Sequence, residues 1–349
     1  MKSAIIRAGF DTLYFSGGHL LLRPFFEGVG AILMLHHVRP PRRNIFQPNQ
    51  RLETSPELLS GTLAWLRSQN IDIVSLDEMY RRLTERRFTR RFVCITFDDG
   101  YRNNKLCAYP ILRQHQAPFA IYVPASFPER RGKLWWLALE TAIARNNRIV
   151  VRMEGTERAL ICATPAQKYQ AFGAVHRWLR GLKTEDEIHA FTDDLATRHG
   201  VDLRPLVAGL CMDWSEIREL AADPLVTIGA HTVNHVMLAK ATEEVVRSEL
   251  ELGRDRMEAA LEREVHHLAY PYGGRDHAGP REFRIAAELG YRTAVTTRPG
   301  VLFSEHSQHL TALPRLPLNG EFRAVRHVKV LISGAATALL NGFRRVDTA

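Results

Sequence analysis

The chain has 349 residues, 45% of them hydrophobic and 24% charged, a composition that fits a folded protein with a large core and excludes intrinsic disorder. Lys and Arg total 47 against 38 Asp and Glu, and the resulting net charge of +9 is compatible with an anionic partner and equally with an ordinary solvated basic surface. The basic residues are concentrated in residues 1–51 and 81–91. We see no interleaved base-stacking aromatic residues there and no zinc-finger spacing in the chain, so we expect no nucleic-acid partner.

The cysteines and the N-terminal sequence bear on the cellular compartment. Cys94, Cys107, Cys162 and Cys211 form no C-x-x-C pair, and three of them lie in apolar surroundings typical of free, buried thiols. The first residues contain neither a long hydrophobic stretch nor a small-residue cleavage site. We therefore expect a cytoplasmic protein without a signal peptide or transmembrane helix, which could associate with the inner face of a membrane.

Residues 1–28 are predicted to form an N-terminal amphipathic segment. Apolar residues such as Ile5 and Phe10 share one face of a helix over residues 4–15, and two glycines end that helix. Such a helix can cover a core or lie on an anionic membrane surface, and both alternatives stay open.

Apolar runs of strand length then alternate with segments of helical spacing. The predicted strands before residue 125 are 29–35, 71–74, 92–97 and 119–123. The predicted helices between them begin near Pro56 and Asn103. This alternation indicates a parallel α/β sheet or barrel.

A different pattern occupies residues 130–222, which are predicted to be a helical insertion packed on the barrel. The β/α alternation resumes afterwards with strands near 225–231, 267–270, 291–296 and 310–318 and helices near 242–261 and 280–289. The barrel is therefore expected to span residues 29–320. Residues 321–349 are predicted to form a C-terminal amphipathic helix that is too short to span a bilayer and that closes the barrel or lies at a membrane interface.

Two polar clusters are expected at the carboxyl ends of predicted strands. Asp98 and Asp99 end the apolar run 92–97, where they could cap the next helix or act in a site. His231 and His235 follow another strand at i, i+4 spacing, which would place both rings on one side of a helical turn. Two histidines and a carboxylate form a metal site that keeps open positions for water and substrate.

With these residues the chain resembles the polysaccharide deacetylase family, also called the nodulation-deacetylase homology group or carbohydrate esterase family 4. The matching motifs are Thr-Phe-Asp-Asp-Gly at 96–100, His-Thr-x-x-His at 231–235 and Tyr-Pro-Tyr-Gly at 270–273. The resemblance covers roughly residues 29–320 apart from the insertion. It implies an irregular (β/α) barrel.

The resemblance also implies a division of roles among the motif residues. Asp99, His231 and His235 would bind a divalent metal, usually Zn²⁺, with Co²⁺, Mn²⁺ and Ni²⁺ as alternatives. Asp98 would be the general base that activates water, and a backbone N–H near Tyr272 would help to hold the oxyanion. The residues assigned to substrate contact are Tyr101, Pro271, Tyr272, Trp135 and Trp136, the two tryptophans either stacking on sugar rings or packing in a helix.

Two positions depart from the family pattern. Ala269 occupies the place where the family commonly has an arginine that orients the base, and the last strand lacks the usual general-acid histidine. Candidates for the proton donor are His36 and, less favoured, His309, while Arg315 could take over the orienting role. Each of these could instead be a structural histidine or a surface arginine.

The predicted function is a metal-dependent hydrolase that removes the N-acetyl group from an amino sugar in a polysaccharide, oligosaccharide or envelope glycolipid precursor. One alternative is a deformylase of a lipid-linked amino sugar, or a cyclic amide hydrolase, on the same scaffold. A second alternative is a catalytically inactive barrel that binds glycans. The predicted partners are an acetylated amino sugar and, peripherally, an anionic membrane.

Overall fold

A closed barrel of seven parallel strands forms the centre of the computed structural model, which describes residues 2–348. The strands of the chain are β1 (Gly30–Leu35), β2 (His37–Val38), β3 (Glu53–Thr54), β4 (Asp72–Ile73), β5 (Phe92–Phe97), β6 (Phe119–Val123), β7 (Arg148–Met153), β8 (Thr156–Ile161), β9 (Val226–Ala230), β10 (His267–Ala269), β11 (Thr293–Pro299) and β12 (Leu313–Pro317). The barrel order is β1-β12-β11-β10-β9-β6-β5, closed by pairing of β5 with β1, and β4 adds to β5. The predicted (β/α) barrel is confirmed.

Helices surround the barrel. They are α1 (Lys2–Phe15), α2 (Gly18–Phe26), α3 (Pro56–Ser68), α4 (Leu76–Glu85), α5 (Tyr109–Gln114), α6 (Trp135–Arg145), α7 (Pro165–Gly181), α8 (Glu185–Arg198), α9 (Arg204–Leu210), α10 (Trp214–Ala221), α11 (Glu243–Leu261), α12 (Pro280–Glu288), α13 (Val325–Ile332) and α14 (Ala335–Leu340). Helix α3 starts as its sequence predicts, because the Ser55 side chain accepts a hydrogen bond from the Leu58 N–H and Pro56 occupies the first turn.

The barrel strands are continuous apolar runs because the barrel interior covers one face and the helices cover the other. Every residue of β1 and β5 is buried. These two strands pair in parallel over their whole length, with Leu35 opposite Phe97. Parallel pairing places their carboxyl ends at one edge of the barrel, so His36 follows one strand where Asp98 follows the other.

The insertion after β6 contains a β-hairpin that the sequence pattern did not predict. Strands β7 and β8 pair in antiparallel register around Glu154 and Gly155, both of which have positive φ. Buried residues alternate along β7 whereas β8 is mostly exposed, so only one strand carries a period-2 signal. The helices around the hairpin form an apolar cluster of their own, which includes Trp135, Phe172 and Val175.

The terminal segments form a helical layer on the barrel. The predicted first helix is present as α1, and Gly17, with φ of 72°, separates it from α2. The prediction of one C-terminal helix is wrong, because Gly334 adopts φ of 74° and divides the segment into α13 and α14. A β-carbon at Gly334 would overlap the carbonyl group of Phe26, so only glycine allows α14 to approach the end of α2 this closely.

An ion-pair cluster joins the two ends of the chain. The Asp11 carboxylate of α1 accepts hydrogen bonds from the guanidinium of Arg326 at 2.7 Å and from the ring of His327 at 3.0 Å. Phe10 packs in the main core, with its ring 4.9 Å from that of Phe322. Within residues 2–348, no helix combines the length and the apolarity that crossing a membrane requires.

Candidate metal centre and active site

A cavity of about 510 Å³ opens at the carboxyl ends of the barrel strands. Its floor contains Asp98 and Asp99 after β5, His36 after β1, and His231 and His235 after β9. The two aspartates therefore face the cavity together. The structure shows them as cavity residues and not as helix caps.

Asp99, His231 and His235 form a cluster whose ligand atoms all lie within 4.8 Å of one another. The Asp99 Oδ1 atom is 3.6 Å from His231 Nε2 and 3.2 Å from His235 Nε2. A tetrahedral zinc ion with ligands at about 2.1 Å would place such atoms about 3.4 Å apart. Asp99 Oδ1 is buried and has no hydrogen-bond partner among the described residues, as a carboxylate oxygen reserved for a metal would be. The residues present therefore fit a divalent cation.

Neighbouring groups orient the two histidine rings. His231 Nδ1 lies 2.6 Å from the carbonyl oxygen of Ala269, so this nitrogen carries the proton and leaves Nε2 free to bind a metal. The ring of His235 packs among the aromatic rings of Trp136, Tyr272 and Phe127, whose centroids lie 5.3, 4.9 and 6.0 Å away. Ala269, where the family commonly has arginine, thus contributes its backbone to the site.

Residues 231–235 form a turn and not the helical turn that the i, i+4 spacing suggested. Thr232 and His235 adopt positive φ, and the Thr232 hydroxyl accepts a hydrogen bond from the His235 N–H. The buried carboxylate of Glu249 on α11 accepts hydrogen bonds from the N–H groups of Val233 and Asn234 and from the Asn234 side chain. Glu249 was not identified from the sequence, since it reads as an ordinary charged residue on an amphipathic helix.

Left-handed backbone is concentrated around the cavity. Asp99 has φ of 69° and Tyr272 has φ of 60°, in addition to Thr232 and His235. Residues other than glycine rarely adopt this conformation, which costs of order 1 to 3 kcal/mol at each position and persists only where the surroundings impose it. Such concentrated strain is typical of sites that hold side chains in a required geometry.

Asp98 forms a bidentate ion pair with Arg315 of β12. The Arg315 Nη1 and Nη2 atoms lie 2.7 Å from Asp98 Oδ1 and 2.7 Å from Asp98 Oδ2, and the Arg315 side chain has no solvent exposure. Arg315 Nε also donates to the carbonyl oxygen of Thr296. Burial alone would raise the pKa of Asp98, but the charge and hydrogen bonds of Arg315 outweigh burial and lower this pKa. Asp98 is therefore a carboxylate at neutral pH.

His36 lies on the other side of Asp98, and His309 lies elsewhere. The His36 Nε2 atom is 3.9 Å from Asp98 Oδ2 and faces the cavity. Burial lowers the pKa of His36, and the nearby charges of Asp98 and Asp99 offset this effect only in part. The pKa therefore stays below the usual histidine value, and the imidazole is neutral at pH 7. His309 ends the helical turn Ser304–Gln308, which packs near α4 and does not line the cavity.

The insertion supplies one aromatic wall of the cavity. Trp135 and Trp136 line it, and Trp135 Nε1 donates a hydrogen bond of 2.9 Å to the hydroxyl of Tyr272. Tyr101 and Pro271, assigned to substrate contact from the sequence, do not line the cavity. Tyr101 is fully buried and stacks on His37 with ring centroids 3.7 Å apart, so its place is behind the metal ligands.

Several cavity residues were missed by the sequence reasoning because they carry no motif. They are Asn49, Arg51, Phe172, His176 and Arg180. The segment around Asn49 is tied to the insertion, since the Asn49 amide donates to the Glu140 carboxylate at 2.8 Å and to the carbonyl of Trp136. Only contacts between distant parts of the chain bring these residues to one wall.

Comparison with known proteins gives one sequence match and several structural matches. Residues 85–294 match the family described as Polysaccharide deacetylase. No curated protein matches the chain significantly in sequence.

Several of the structural matches are deacetylases of low sequence identity. The Streptococcus pyogenes deacetylase PplD in complex with acetate aligns with a TM-score of 0.58 at 18% identity, covering 86% of this chain and 97% of that chain. IcaB from Ammonifex degensii aligns with a TM-score of 0.54 at 18% identity, covering 87% of this chain and 97% of that chain. At these identities the similarity shows a shared fold.

We expect removal of one predicted ligand to weaken metal binding. Asp99→Asn replaces a charged oxygen with a neutral amide, so its affinity for Zn²⁺ should fall at least tenfold to a hundredfold. Isothermal titration calorimetry, in which zinc is added to the apo protein, measures this change in affinity. Asp98→Asn is the matched control, because its carboxylate pairs with Arg315; equal loss of zinc in both variants would contradict the assignment.

We expect Arg315→Met to destabilise the fold by leaving the Asp98 carboxylate buried without a partner. Breaking a buried pair from one side costs about 3 to 5 kcal/mol of the free energy of unfolding. Urea denaturation at neutral pH measures the loss. The double variant Arg315→Met/Asp98→Asn should recover part of that free energy, and a double variant as unstable as the single one would argue against an ionised Asp98.

Proposed function

The chain belongs to the polysaccharide deacetylase family, and from that premise we propose that it is a metal-dependent hydrolase that removes the N-acetyl group from an amino sugar. The substrate would be a polysaccharide, an oligosaccharide or an envelope glycolipid precursor. The observation that carries the proposal is an ionised aspartate, fixed by a buried arginine, beside a two-histidine, one-carboxylate cluster in an aromatic-walled cavity.

Asp99, His231 and His235 would hold the cation. When bound, a divalent cation at these residues supplies the positive charge that polarises an amide carbonyl and acidifies a water molecule. The protein contributes the fixed geometry: Ala269 orients the His231 ring, and Glu249 braces the turn that carries both histidines. Metal removal by a chelator should therefore stop the reaction.

Asp98 would accept the proton of the attacking water. Both of its oxygens are held by the Arg315 fork, so the carboxylate has one orientation in the cavity. The lowered pKa keeps it unprotonated at neutral pH, as a general base requires. Arg315 is a positioning residue here, and it fills the role left open by Ala269.

His36 would return the proton to the departing amine. Its Nε2 atom lies 3.9 Å from Asp98 Oδ2, which is beyond direct hydrogen-bond distance, so a proton taken by Asp98 would pass through one bridging water to the imidazole and then to the sugar nitrogen as the carbon–nitrogen bond breaks. A neutral imidazole in the free enzyme suits this order, since it must accept a proton before it donates one. The acetyl group leaves as acetate, and the sugar keeps the amine.

The sugar would lie against the aromatic wall. Trp136 and Tyr272 line the cavity next to the His235 ring, and flat apolar rings stack well on the C–H faces of sugars. Arg51 and Arg180 also line the cavity, so a substrate with a negative charge beside the amino sugar would be favoured.

Four free cysteines support the proposed cytoplasmic location.

We expect the zinc-loaded protein to release acetate from N-acetylated amino-sugar oligomers, and Asp98→Asn to lower kcat by roughly 10² to 10⁴-fold. Acetate release and amine appearance measured together report both products. Retained zinc in Asp98→Asn separates loss of the base from loss of the metal. Release of formate alone from a formylated sugar would favour the deformylase alternative, and no release from any of these sugars would favour the glycan-binding barrel.

We expect His36→Ala to lower kcat by roughly 10²-fold while changing KM little, because proton return affects turnover and not binding. The matched control is His309→Ala, which lies outside the cavity and should leave both constants unchanged. Unchanged turnover in His36→Ala would remove this histidine from the reaction.

A further inference from the structure

The terminal helices expose a concentration of large apolar side chains to solvent. Among the described residues, nine of the fifteen exposed large hydrophobic residues belong to residues 5–25 and 339–343. We call the part on α2, on α14 and in the turn that follows α14 the terminal apolar patch, and its residues are Leu20, Leu21, Phe25, Leu339, Leu340 and Phe343. An exposed group of this kind marks an interaction surface more often than a chance arrangement.

The two halves of the patch are adjacent in the fold. Helices α2 and α14 pack against each other, and the ring of Phe26 lies 5.6 Å from that of Phe343. The Arg345 guanidinium also donates to the carbonyl oxygen of Phe25. Leu21 is 75% exposed and Leu340 is 72% exposed, so neither residue is used by the core.

Positive charge surrounds this patch. The terminal segments, residues 1–28 and 321–349, contain eight basic and four acidic residues, a net +4 out of the +9 of the whole chain. Arg344 and Arg345 directly follow Phe343, and Arg23 lies within α2. Apolar side chains bordered by Lys and Arg are typical of helices that lie in the interface of an anionic membrane.

A basic cavity adjoins the patch. It has a volume of about 610 Å³, lies among α1, α2, α3 and α13, and includes Leu20 of the patch in its lining. Arg23, Arg91 and Lys329 line it as well, and the Lys329 ammonium stands 5.9 Å from the ring centroids of both Tyr14 and Trp65. Cations and aromatic rings together suit the phosphate and glycerol of a lipid headgroup.

We propose that the terminal apolar patch docks this protein on the surface of a membrane that contains anionic phospholipid, with the basic cavity facing the headgroups. A second copy of the chain is a poorer occupant, because a symmetric contact would bring two clusters of net positive charge together. Docking would be peripheral, since no helix within residues 2–348 could cross the bilayer. The proposal is independent of the proposed function.

Vesicle flotation tests the apolar part. The full chain should float with phosphatidylcholine vesicles that contain phosphatidylglycerol and not with phosphatidylcholine alone. The double variant Leu21→Glu/Leu340→Glu should bind at least tenfold more weakly, because it places two carboxylates at the anionic surface. The matched control is Ile45→Glu/Ile161→Glu, whose sites are 77% and 53% exposed outside the patch, and it should float like the parent.

A charge variant and two further measurements complete the test. Lys329→Gln/Arg344→Gln should weaken binding and reduce its salt dependence, while Arg86→Gln/Arg87→Gln, on exposed residues at the end of α4, should not. All variants should keep the acetate release of the parent on a soluble oligomer. Absence of flotation at low salt, or equal flotation of Leu21→Glu/Leu340→Glu, would overturn the proposal. The proposal would also be overturned if sedimentation velocity showed that the parent protein is a dimer and that Leu21→Glu/Leu340→Glu is a monomer.

Discussion

The buried ion pair between Asp98 and Arg315 is the interaction on which the rest of the site depends. A carboxylate in the interior of a barrel loses its hydration, which costs several kcal/mol unless a partner charge and matching hydrogen bonds replace the water. Arg315 supplies both, because its planar fork reaches the two oxygens of Asp98 from β12, which is separated from β5 by the single strand β1. The barrel can therefore keep an ionised carboxylate at a position where apolar surroundings alone would favour its protonated form.

This pairing also explains how two adjacent aspartates can both be charged in one cavity. Asp98 turns toward Arg315, whereas the left-handed backbone of Asp99 turns its carboxylate toward His231 and His235. Burial raises the pKa of Asp99, but the adjacent His235 and His231 side chains outweigh burial and lower it well below the usual value. Each carboxylate thus faces its own partner groups, Arg315 for Asp98 and the two imidazoles for Asp99.

The barrel positions the polar groups, and the segments outside the barrel shape what reaches them. The insertion contributes Trp135 and Trp136 and is fastened to the segment around Asn49. The terminal helices are joined to each other through Asp11 and leave an apolar, basic surface outside. The molecule therefore has three layers: acid and imidazole groups at the strand ends, aromatic groups above them, and a helical shell that exposes apolar and basic side chains.

The sequence by itself determined the alternation of strands and helices, the positions of Asp98, Asp99, His231 and His235, and the family to which they belong. These features are local, since a buried strand needs a continuous apolar run and a motif lies within a few residues. Only the tertiary structure decided that Arg315 holds Asp98, that Glu249 braces the histidine turn, and that Tyr101 lies behind the cavity. These are contacts between residues far apart in sequence, and one side chain gives no local sign of its distant partner. The hairpin β7–β8 escaped prediction because only β7 carries an alternating pattern, and the break at Gly334 escaped it because the close approach to Phe26 is a long-range contact.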